Sequence, residues 1–111
     1  MNFASSQGWY SFVLVTALGI VPRAQAAETV VDQHDLMFVP SAVTIQAGDT
    51  VRFTDTDRIT HNITITYPDG TVEDKGMDRY KEDIIVHFTK PGVYQVHCLI
   101  HPMMHMIVTV K

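Results

Sequence analysis

The feature that most constrains this chain is a two-residue period of apolar side chains, repeated in short runs separated by turn formers. His61 to Tyr67 reads HNITITY, with His61, Ile63, Ile65 and Tyr67 on one face and Asn62, Thr64 and Thr66 on the other. A strand sends successive side chains to opposite sides, so this pattern lines one face of a sheet. Val43 with Ile45, Val51 with Phe53, Ile84 with Val86 and Phe88, and Tyr94 with Val96 and Cys98 repeat the alternation. Ala47-Gly48-Asp49, Pro68-Asp69-Gly70 and Lys90-Pro91-Gly92 punctuate the runs as turns, and Ile107 to Lys111 closes the chain. No segment carries a convincing helical period. About seven short strands at this spacing predict an all-β fold, a small antiparallel Greek-key sandwich or barrel. The polar, acidic stretch 69–83 (DGTVEDKGMDRYKED) departs from the pattern and predicts an irregular excursion.

The first 26 residues stand apart from the fold. Ser11 to Val21 is an apolar run of signal-peptide length, too short to span a bilayer comfortably. Pro22 ends it, and Ala24-Gln25-Ala26 offers the small-x-small pattern of a cleavage site. Residues 1–26 are therefore expected to be a signal peptide and residues 27–111 the single domain, with a periplasmic location. No Lys or Arg precedes the apolar run. If left uncleaved it would anchor the protein; otherwise no stable membrane association is expected.

So small a domain has a limited core and usually draws on disulfides, metal or partners for stability. The chain has one Cys, so no internal disulfide can form. A lone thiol in an oxidising compartment needs a reason to be there, and a metal site supplies one. The net charge of -4, without any Lys or Arg run, excludes the basic footprint of a nucleic-acid binder. There is also no nucleophile–base arrangement and no phosphate-binding loop, so the chain does not read as an enzyme.

Chemistry converges on one loop. Cys98 ends a strand on its inward face, His101 follows three residues later, and Met104 three beyond that, within CLIHPMMHM. His61 starts a separate strand whose face is lined by Ile63 and Ile65. A thiolate, two imidazoles and a thioether are soft to borderline donors that suit copper moving between two oxidation states. Zinc usually takes four strong ligands and has little use for a thioether.

Residues 30–111 resemble the plastocyanin, amicyanin and pseudoazurin branch of the cupredoxins, the small blue-copper proteins. DTVRFTDTDRITHNITI is similar to that family's strand into its first His, with Asn directly after it. GVYQVHCLIHPMMHMIVTV resembles the strand and ligand loop, Cys-x-x-His-x-x-Met with Pro after the His. The resemblance implies one type 1 copper ion held by His61, Cys98 and His101, with Met104 as the weak axial ligand. Met106 also fits, because some members use a longer spacing; Met104 lets the closing strand align without a shift. The implied function is single-electron transfer by a monomer that touches redox partners transiently near His101, steered by the acidic 69–83 segment. The alternative is a periplasmic copper carrier or copper-resistance protein.

The loop departs from the family pattern. Leu99 replaces a common Ser or Thr, which removes a hydrogen-bond partner of Asn62. Ile100 replaces a common Pro, so its N–H could point at the Cys98 sulfur, and Met106 replaces a common Gly. His97 adjoins Cys98 but points to the opposite sheet face, so it reads as a surface residue. His34 and His87 read as isolated. His105 with Met103 and Met106 reads as loop surface and core closure rather than a secondary copper-binding face.

Overall fold

A computed structural model describes residues 25–111. The apolar N-terminal run lies outside the described residues. Among the described residues nine strands form in order: β1 (Glu28–His34), β2 (Met37–Val39), β3 (Ala42–Ile45), β4 (Thr50–Asp55), β5 (His61–Thr66), β6 (Val72–Asp78), β7 (Ile84–His87), β8 (Gly92–Cys98) and β9 (His101–Val110). One sheet has the order β2-β1-β4-β7, the other β3-β9-β8-β5-β6. This is the all-β sandwich that the alternation predicts, but its sheets are mixed. β1 runs parallel to β4, and β3 runs parallel to β9. Alternation fixes which face of a strand is buried and carries no information on the direction of its neighbour.

The core lies between the sheets and follows strand parity. Val31, Val51, Phe53 and Val86 face inward from the first sheet; Ile63, Ile65, Tyr94, Val96, Val108 and Val110 face them from the second. Phe53 meets Phe38, and Phe88 meets Tyr94, in edge-to-face contacts with centroids 6.1 and 5.0 Å apart. The turn entering β8 is tight. Gly92 has φ of +146°, and a Cβ there would lie 2.5 Å from Pro68 Cγ.

Two sequence expectations are corrected. The 69–83 segment is not irregular throughout, because Val72–Asp78 forms β6, an edge strand paired with β5. Both of its faces are largely exposed, so it has no apolar alternation to read, and its charges protect a sheet edge. β5 is buried on both faces rather than one: His61 to Ile65 are all buried. The polar face of Asn62 and Thr64 is covered by β6 and by the turn after Cys98, which hydrogen-bonds to it.

Candidate metal centre

Three strand ends meet at one end of the sandwich. His61 is the first residue of β5, Cys98 the last of β8 and His101 the first of β9. His61 and Cys98 are buried, and His101 is partly exposed. Their donor atoms all lie within 4.8 Å of one another. The two Nδ1 atoms are 3.2 Å apart, and His101 Nδ1 is 3.6 Å from Cys98 Sγ. Bonds of about 2.0–2.3 Å to imidazole and thiolate would set trigonal donors about 3.5–3.8 Å apart. The observed spacings fit one metal ion at the centre after only slight movement.

The protonation pattern also fits. His61 Nε2 lies 2.8 Å from Asp57 Oδ2. A carboxylate there places the proton on Nε2 and leaves the Nδ1 lone pair facing the site. Burial alone would raise the Asp57 carboxyl, but hydrogen bonds from Leu36 N–H, His61 and Asp35 N–H outweigh it and hold it below the ordinary carboxylate range. Asp57 was not singled out from sequence. Its position four residues before His61, inside the loop DTDRIT, was the available signal.

Met104 and Met106 are both buried on the inward face of β9. Register separates them. Met106 pairs with Val96, two residues back from Cys98, whereas Met104 falls in the irregular stretch between the His97–His105 and Cys98–His101 pairs. By register Met104 is the nearer of the two to the His101 end of β9, and Met106 lies two residues further along the same inward face.

The loop replacements have visible consequences. Asn62 does not go short of partners when Leu99 replaces Ser or Thr. Its Oδ1 accepts from Leu99 N–H and Thr64 O–H, and its Nδ2 donates to Asp74 Oδ1 and the Gly76 carbonyl. The backbone of position 99 supplies what its side chain lacks. The expected Ile100 N–H contact to sulfur is not formed among the described residues, where the polar neighbour of Sγ is His101 Nδ1.

Beneath His61 lies a buried polar layer that the sequence reading passed over. Gln33, Asp55 and Asp78 are all buried, and Gln33 Nε2 donates to Asp78 Oδ2 at 2.5 Å. Gln33 pairs with Asp55 across β1 and β4, and Asp78 pairs with His61 across β6 and β5. Gln33 Oε1, Asp55 Oδ2 and Asp78 Oδ1 have no donor among the described residues. Burial pushes Asp78 up to about 6, against the Gln33 hydrogen bond and with help from the Asp55 charge. Burial also raises Asp55, opposed by the Asp57 N–H.

His34 is not isolated, as it read in the sequence. Its ring nitrogen, Asp35 and Asp57 offer donors within 4.8 Å of one another. That group is largely exposed, and both Asp57 oxygens are already taken by Asp35 N–H, Leu36 N–H and His61.

The fold recurs in known proteins. A family model described as copper binding proteins, plastocyanin/azurin family, matches residues 25–111. Amicyanin-alpha of Methylorubrum extorquens is 34% identical over 109 residues, covering 94% of this chain and 92% of the relative. The methylamine utilization protein MauL of Methylophilus methylotrophus is 30% identical over 112 residues, covering 86% of this chain and 63% of MauL. The chain therefore spans somewhat less than two thirds of MauL's length. Among solved structures, a Cu(I) form of one amicyanin variant and an oxidised form of another each superpose with a TM-score of 0.70 at 25% identity, over 80% of this chain and 86% of theirs. With its donor cluster and sandwich in place, this chain belongs to the plastocyanin/azurin family of copper-binding proteins, on the amicyanin branch.

Proposed function

We propose that the protein is an exported type 1 copper protein that carries single electrons between redox partners. In this reading His61, Cys98, His101 and Met104 would hold the copper ion. The observation that carries it is the pre-assembled donor cluster. Three strand ends fix the donors before any metal arrives, and Asp57 holds His61 in the ligating tautomer. A bound copper would supply the Cu(I)/Cu(II) couple. The chain's own contribution is rigidity, since ligands held by a sandwich rearrange little when the charge on the metal changes. With four donors committed, no open position remains for a substrate, which argues against an enzyme.

The electron's route runs through His101. It is the partly exposed member of the set, and Leu99, Ile100 and Met103 around it are exposed apolar residues. Such a patch suits brief docking of a redox partner. Export rests on the apolar run and cleavage pattern before Ala27, and a periplasmic address follows from it. The copper-carrier alternative would use the same donors for storage.

The test is the absorption spectrum of the copper-loaded, oxidised protein. An intense visible thiolate-to-copper band is expected, and its absence overturns the ligand set. Met104→Leu should shift the band and the reduction potential, whereas Met106→Leu should leave both nearly unchanged. A fast electron self-exchange rate supports relay, and tight Cu(I) binding with slow exchange supports carriage.

A further inference from the structure

A second group of soft donors lies outside the centre described above. Between β2 and β9 a cleft opens at the surface, lined by Met37, Val39, Pro40, Met103, Met104 and His105 among others. It exists because β9 pairs with β3 only from Ile107 onward, leaving the preceding residues to run past β2. Met37 is 54% and Met103 65% exposed, and His105 is exposed as well. Among the described residues His105 has no side-chain hydrogen bond or ion pair. Among the described residues no Asp, Glu, Lys or Arg lines the cleft.

Two thioethers and an imidazole, with no carboxylate among them, form a donor set that selects by softness. Thioethers bind Cu(I) well and bind Mg(II), Ca(II) and Zn(II) poorly. The lack of anionic donors also disfavours Cu(II), whose higher charge calls for harder or charged ligands. A surface built only for apolar docking would need neither the imidazole nor sulfur in place of branched carbon. Met104 forms part of the same cleft wall, so this surface adjoins the interior metal centre.

We propose that this cleft binds a second, monovalent copper ion through Met37, Met103 and His105. The inference does not depend on whether the interior copper serves electron relay or carriage, because it concerns an additional equivalent of metal.

The test uses reduced protein whose interior site is already filled, titrated with Cu(I) against a competing Cu(I) chelator, with Ag(I) as a redox-inert probe. Methionine methyl signals are followed by NMR. The expected result is one further equivalent, accompanied by shifts of the Met37 and Met103 methyl signals and of the His105 ring. A Met37→Leu/Met103→Leu variant should lose about tenfold or more of that second affinity while keeping the visible band after oxidation. The proposal is overturned if no further equivalent binds. It is equally overturned if a further equivalent binds while both methyl signals stay still. The methyl readout is taken on the unmodified protein, so the answer stands even if the double variant folds poorly.

Discussion

Asp78 ionises at a cost that the unfolded chain does not bear, and replacing it by asparagine measures that cost. The carboxyl moves from 3.8 to about 6 in the folded protein, chiefly through burial, with Gln33 opposing and Asp55 adding to the rise. At about 1.36 kcal/mol per unit, this corresponds to about 3 kcal/mol at most. A raised carboxyl means that the folded state holds the proton more tightly than the unfolded chain. The cost is therefore absent below about 3.8, grows up to about 6, and is complete above that. Asp78→Asn keeps an acceptor for Gln33 Nε2 and adds N–H donors beside the unpaired Gln33 Oε1 and Asp55 Oδ2. Burying the amide takes back part of the gain, leaving about 1–2 kcal/mol of stabilisation at neutral pH. The assay is urea unfolding of the copper-free protein, so that no metal charge enters, for both forms between about pH 4 and pH 8. The difference should be near zero at the acid end and reach its plateau above pH 7, with a melting temperature raised by on the order of 10 °C. A difference that is flat across this range, or a variant less stable at pH 8, would refute the reasoning.

The other expectations concern the site and its supports. Asp57→Asn keeps a hydrogen-bond acceptor for His61 but removes the charge; Cu(II) affinity should fall about 10-fold or more and the reduction potential should rise, as read by competition titration and voltammetry. Asn62→Ala strands Leu99 N–H and the groups on β6, so copper-free stability should drop by about 2–4 kcal/mol in denaturant unfolding. Gly92→Ala forces a Cβ against Pro68 at a backbone angle that suits glycine, which should cost about 1–3 kcal/mol and leave the copper spectrum unchanged.

Most of the site was legible because its donors occupy strand ends whose inward parity can be read from neighbours. Ile63 and Ile65 orient His61, and Tyr94 and Val96 orient Cys98. The all-β sandwich followed from the same alternation and is matched by the amicyanin structures. What stayed hidden depends on distance in sequence. The pairing of β1 with β4, and so the placing of Gln33 beside Asp55, comes from strand adjacency that no local pattern encodes. Asp57 lies in a loop without periodicity, and its role emerges only once β1 brings Asp35 and Leu36 to its other side. β6 was missed because an exposed edge strand has no buried face to advertise. Parity alone does not separate Met104 from Met106, since both face inward.

Strand β9 begins at His101 and ends at Val110, where it lies beside Ile45 of β3. Lys111 then exchanges backbone hydrogen bonds with Ile45 and Ala47. Residues 107–111 thus close the second sheet onto its earliest strand, a contact that spans most of the domain. Such long-range closure is slow, and a nascent chain short of residue 107 has no partner for β3. The strand that completes the second sheet is also the one that carries His101 and Met104. In the ligand set proposed above, a metal ion would hold the head of the strand whose tail closes the second sheet, so metal binding should slow unfolding.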